Sequence, residues 1–154
     1  MREIRIPDEY SGSEPSVFLA GGAGGRHNWR KDFALMVSDT PWILLNPLTR
    51  SGWGKDNNSL VRRTRWERQH LDHATVQLFW FPAGQPCMVS LYELGACSTA
   101  NRPIIAGVEK GYAKRDEVLV QMQLGRPEVN VVASLAELAE QLRSFGLTDE
   151  RSAT

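Results

Sequence analysis

VQLFWFPAGQPCMVSLYELGACSTANRPIIAGV, residues 76–108, decides the fold. It reads as a buried strand (VQLFWF, 76–81), a turn, a helix over about Met88–Ser98 and a second buried strand (PIIAGV, 103–108). Both strand segments are almost wholly apolar, without the period-two alternation of a sheet that faces water on one side. A strand, a helix and a strand in series imply a parallel pair covered on both faces. The only acidic side chain in the stretch is Glu93, inside an otherwise apolar helix. A carboxylate there either points to solvent or lies buried. A buried one is costly unless paired, hydrogen-bonded or protonated, and such groups cluster where chemistry is done.

The same alternation extends to both sides. SVFLAG (16–21), WILLNP (42–47) and VNVVA (129–133) read as further strands. Asn28 is a suitable N-cap for a helix with Trp29, Phe33, Leu35 and Met36 as its apolar positions. Ser59 is read as the cap of a helix through Trp66, Glu67, Leu71 and Ala74, after a glycine- and asparagine-rich loop at 48–58. A mixed helical segment covers Asp116–Leu124, and Ser134 caps SLAELAEQLRSFG, which Gly146 is expected to stop. The expected architecture is α/β: a flavodoxin-like three-layer sandwich on a five-stranded parallel sheet of order 2-1-3-4-5. Residues 1–15 read as a polar N-terminal arm, 16–146 as one domain and 147–154 as a frayed tail.

Composition narrows the function. A chain of 154 residues is long enough for one domain with a real core. The 18 basic and 18 acidic residues cancel, so no footprint for polymeric nucleic acid is expected, and the arginines at 62, 63, 65 and 68 read as a solvated helix end or a local anion contact. Cys87 and Cys97 form no CxxC pair and no histidine has zinc-site spacing, so neither a disulfide framework nor a metal is expected. No apolar run reaches the roughly 18 residues of a membrane span, and the charged N-terminus is unlike a signal peptide. A soluble, cytoplasmic setting is the expectation.

Three groups of residues are candidates for chemistry. LAGGAGGRHNWR follows the first apolar strand, and its glycines Gly21, Gly22, Gly24 and Gly25 let backbone approach a ligand near a helix N-terminus. It lacks the GK[ST] of a P-loop, and Asn46 stands where a dinucleotide site needs an acid. Arg26 and Arg30 add positive charge of the kind that suits a phosphate. Glu67 lies beside Trp66 on the second helix, as a solvated charge or as a group that meets a heterocycle. Ser90 and Glu93 share a helix face, and a buried carboxylate is a competent nucleophile at a sugar's anomeric carbon. His70 and His73 are expected to face solvent.

In order, FLAGGAGGRHNWR, ILLNP, RWERQHLDHATVQLFWFP, SLYELG and RPIIAGVEKGYAKRDEVLVQ resemble the nucleoside 2-deoxyribosyltransferase-like family across roughly residues 16–142. The resemblance implies the flavodoxin-like fold and cleavage of the N-glycosidic bond of a (deoxy)nucleoside or nucleoside monophosphate, with the deoxyribosyl group passed to another base. Hydrolysis of the same bond is the alternative. By resemblance Glu93 matches the nucleophilic glutamate of the ELG motif, and Glu67 the carboxylate that contacts the base or assists its departure. The Gly21–Gly25 loop matches the segment lining the sugar, with Ser90 and Asn46 as further substrate contacts. No cofactor is implied; a free base acceptor and a homo-oligomer are. Ala74-Thr75 and Cys87 replace acids or a serine found in many relatives, which leaves open a nucleotide-binding or sensing module with weakened turnover.

Overall fold

In the computed structural model, which describes residues 1–24, 27–49 and 57–149, the apolar runs are strands of one parallel sheet. The strands are β1 (Arg2–Arg5), β2 (Ser16–Gly21), β3 (Ile43–Asn46), β4 (Val76–Phe81), β5 (Ile104–Val108) and β6 (Val131–Val132). The helices are α1 (Trp29–Met36), α2 (Asn57–His73), α3 (Met88–Thr99), α4 (Arg115–Gly125) and α5 (Leu135–Asp149). The sheet order is β1-β3-β2-β4-β5-β6, every pairing parallel. Among the described residues the sheet thus has six strands rather than the expected five. Without β1 its order is the expected 2-1-3-4-5.

The extra strand comes from the expected arm. Arg2–Arg5 lies along β3, in register from Arg2 with Ile43 to Arg5 with Asn46. Its charged residues suit a sheet edge, where one side faces water; Ile4 packs half-buried against the core, and Ile6 is the first fully buried side chain.

Successive side chains of a strand point to opposite faces, so a strand covered on both sides is apolar throughout. In β2, Val17 and Leu19 pack with Trp29 and Phe33 of α1 and Leu138 and Leu142 of α5, whereas Phe18 and Ala20 join the other layer. That layer takes Trp66 and Leu71 from α2, Leu94 and Cys97 from α3, and Val118 and Met122 from α4. The result is the flavodoxin-like three-layer α/β class, with α1 and α5 on one face and α2, α3 and α4 on the other.

Local chemistry sets most element ends. Asn28 caps α1 by accepting from the Lys31 amide at 3.4 Å. Ser134 caps α5 reciprocally: its hydroxyl accepts from the Glu137 amide at 3.2 Å and donates to the Glu137 carboxylate at 2.7 Å. Two helix bounds differ from expectation. Ser59 lies inside α2, which starts by Asn57, and α5 runs through Gly146 to Asp149, because a glycine permits a stop without forcing one. At the end of α2, buried Gln77 of β4 donates to the carbonyls of Leu71 and Ala74, both at 3.0 Å, satisfying groups a helix end leaves open.

Candidate active site

The carboxyl ends of β2 and β3 open into a cleft of about 630 Å³ between α2 and α3. Open α/β sheets hold ligands at this edge, and the volume is that of a small-molecule site. From β2 and the loop after it come Ala20, Gly21 and Ala23; Pro47, Leu48 and Thr49 follow β3. The side wall on α2 is a single stripe at helical spacing: Leu60, Arg63, Thr64, Glu67, Arg68 and Leu71. Opposite it, α3 supplies Val89, Ser90, Tyr92 and Glu93.

Of the residues singled out in the sequence, the fold brings Glu67, Glu93, Ser90 and Gly21 to this one cleft. Gly22 and Gly24 belong to the same loop and are held by neighbours. The Gly22 carbonyl accepts from Trp29 Nε1 at 3.0 Å, and the Gly24 amide donates to the Gln85 side chain at 3.1 Å. Gly25 and Arg26 lie outside the described residues. Asn46 is not part of the cleft lining: its amide nitrogen donates to Glu3 of β1 at 2.6 Å, and its oxygen accepts from the Leu48 amide at 3.0 Å. It shapes the turn after β3 instead.

Two positions of the loop are crowded. Gly21 has φ +151°, and a Cβ there would stand 2.3 Å from the Trp80 carbonyl and 2.8 Å from the Trp29 ring. A Cβ on Gly22 would meet the Gln85 side-chain oxygen at 2.0 Å and the Cys87 sulfur at 3.0 Å. Cys87 precedes α3 in the left-handed conformation, with φ 50°, and its thiol reaches the Gln85 carbonyl at 3.7 Å. Burial pushes that thiol up, away from the thiolate.

The charge of Glu67 reaches Glu93. Burial first, and the charge of Glu67 second, push Glu93 up to about 7, against the pull of Arg30 and Arg68. Burial likewise raises Glu67, opposed by Arg63 and Arg30. Arg63 stands 3.8 Å from the Glu67 carboxylate, whose side chain is 22% exposed. The site therefore holds one carboxyl group, Glu93, raised to about 7 and a second, Glu67, raised by burial, the kind of perturbed pair that acid–base and nucleophilic chemistry uses.

Several liners go unread in the sequence. The α2 stripe is available as i±3 and i±4 neighbours of Glu67, but the arginines in it look like a solvated face. The sequence groups Arg30 with a phosphate-facing loop; instead its guanidinium is buried against main-chain carbonyls. His70 corrects a further expectation, since it is 2% exposed. Its Nε2 accepts from the Tyr10 amide at 3.1 Å, so Nδ1 carries the proton and donates to the Trp66 carbonyl at 2.8 Å. Among the described residues no group of three or more His, Cys, Asp or Glu side chains is placed to hold a metal ion, and no helix is long and apolar enough to cross a membrane.

A doubly wound parallel sheet with a two-carboxylate cleft beyond its strand ends defines an α/β protein of the flavodoxin-like class. The family model described as nucleoside 2-deoxyribosyltransferase like matches residues 14–112, which include Gly21, Glu67, Ser90 and Glu93. The chain belongs to that family. Among solved structures it is similar to one titled "Crystal structure of conserved protein from Enterococcus faecalis V583", with a TM-score of 0.59 and 12% identity over 86% of this chain and 99% of that one. A likeness at that identity speaks for the fold alone. No curated protein matches the chain.

Proposed function

We propose that this protein cleaves the N-glycosidic bond of a deoxynucleoside or its 5′-monophosphate and passes the deoxyribosyl group to another base. The observation that carries this reading is the pairing of Glu67 and Glu93 across one cleft, with Glu93 pushed up to about 7. Burial and mutual repulsion favour one shared proton over two charges on such a pair. The productive arrangement has the proton on Glu67 and the charge on Glu93.

From that state Glu93 attacks C1′ through an oxocarbenium-like transition state. The bond from C1′ to the base nitrogen breaks, its electron pair leaves on the base, and Glu67 supplies the proton. In the second half an acceptor base loses a proton to Glu67 while its ring nitrogen attacks C1′. The ester to Glu93 then breaks and the carboxylate returns. Water in place of the acceptor base gives hydrolysis by the same first half. In this reading the loop at Gly21, which lines the cleft, borders the sugar, and Ser90, on the same helix as Glu93, meets a hydroxyl. The exposed apolar side chains Met88, Val89 and Tyr92 of α3 support packing of a second copy beside the cleft, and the two free, buried cysteines suit a reducing cytoplasm.

Incubation with a panel of nucleosides and 5′-monophosphates, with and without a free base and read by chromatography, tests the proposal. Exchange of bases is the expected result. Release without exchange assigns hydrolysis. Calorimetric binding with no product over hours would replace turnover with a sensing role.

A further inference from the structure

The mechanism above makes no use of Arg30, a residue in the first turn of α1 with only 2% of its surface exposed. Its guanidinium makes four hydrogen bonds to three main-chain carbonyls. Nε and Nη2 each donate to Leu19 at 3.1 Å, Nη2 also to Gly21 at 3.0 Å, and Nη1 to Gly22 at 2.9 Å. Its Cζ lies 4.5 Å from the centre of the Trp29 ring. The carbonyls engage four of the five N–H donors but carry no net charge, so the positive charge is not cancelled inside the cluster. A buried cation without an ion pair is costly. The same side chain lines the cleft with Glu67 and Glu93.

We propose that Arg30 is a positioning residue for this cleft: its buried, carbonyl-bound guanidinium is the fixed positive charge that keeps Glu93 available as a carboxylate while it clamps the end of β2 to α1. This rests on the reading of Glu93 as nucleophile. Burial lowers Arg30 to about 10, leaving it cationic at neutral pH, and Cys87, Glu93 and Glu67 draw it back up. Reciprocally, Arg30 pulls both Glu93 and Glu67 down. Among the described residues the other groups facing Glu93 are Glu67 and Arg68 on α2 and Cys97 on its own helix. Arg68 is a weaker source of field: its side chain is 56% exposed and sits 3.3 Å from Asp72, so water and a counter-charge screen it. Arg63 is 45% exposed and beside Glu67. Arg30 is the desolvated cation, and desolvated charges act over distance. Four bonds to carbonyls also leave it poorly suited to hold a phosphate.

The test compares Arg30→Met with Arg30→Lys, reading the Glu93 carboxyl by ¹³C NMR titration in unliganded protein. Arg30→Met is expected to move the Glu93 midpoint up by about one pH unit, whereas Arg30→Lys, which keeps the charge, leaves it near the wild-type value. In turnover the acidic limb of kcat/KM moves with it: roughly tenfold is lost near pH 6 and little near pH 9. An unmoved midpoint in Arg30→Met, or equal shifts in both variants, overturns the proposal and leaves Arg30 a structural clamp. Should Arg30→Met fail to fold, the lysine variant carries the test. Glu93→Gln in that background must lower the midpoint of the introduced ammonium, since coupling is reciprocal; no change there overturns the proposal equally. These titrations need no substrate. A failed nucleoside panel therefore counts against the proposed activity, and a failed titration against Arg30.

Discussion

Glu93 is held near 7 in the fold and starts from an ordinary carboxyl value of 4.5. The folded state therefore binds its proton more tightly than the unfolded chain. Stability falls as pH rises through that window, because the charged form must be kept in a partly buried site. Glu93→Gln removes this cost. Chemical denaturation should find it more stable than wild type by about 1–2 kcal/mol at pH 8 and equal at pH 4, the full shift being discounted for partial solvation. The same variant should lose base exchange by ~10³ or more. His70 has the opposite sign. Burial lowers it, with the Trp66 carbonyl and Glu9 opposing and His73 adding to the effect. The stability it supports is complete above the ordinary histidine value of 6.5 and is lost as pH falls below it. Unfolding curves at pH 7 and pH 5 should show a loss in wild type that His70→Gln largely abolishes. Glu93 is legible because one acid stands alone in an apolar helix. His70 is not, because the Tyr10 amide that buries it comes from 60 positions away.

At the level of elements, the glycine loop is legible as a close approach of backbone, but not what would crowd it. Only the folded chain reveals that Gly21 faces the Trp80 carbonyl and that a Cβ on Gly24 would meet nothing within 4 Å. Gly21→Ala should therefore cost about 2–3 kcal/mol and impair substrate binding, while Gly24→Ala should leave melting temperature and affinity within error. Helix starts are less legible than helix existence. The asparagines at 57 and 58 and Ser59 are all good caps by type, and the sequence does not rank them. The α2 stripe shows the same limit from another side. Arg63 and Arg68 look solvated in the sequence and are largely exposed, yet they wall the cleft that holds Glu67.

For the whole molecule, strand order follows from apolar runs alternating with helices, and the five strands read that way stand in the expected order. The sixth is illegible for a physical reason. An edge strand buries little, so REIR at 2–5 carries no apolar signature, and its pairing with β3 depends on a sheet the local sequence does not contain. Glu3 ties that edge to the site side of the sheet through Asn46. Glu3→Ala leaves the buried Asn46 amide without this acceptor and should cost about 1–2 kcal/mol in urea denaturation, with activity lowered through the turn at Leu48. In the proposed mechanism one carboxylate, Glu93, takes the sugar covalently. Intact-protein mass spectrometry after reaction with a 2′-fluorinated nucleoside tests it most directly, because fluorine at C2′ slows release of the sugar. The account predicts a single glycosyl adduct that maps to the peptide carrying Glu93 and is absent from Glu93→Gln; base release with no adduct on that peptide, or undiminished turnover in Glu93→Gln, would contradict it.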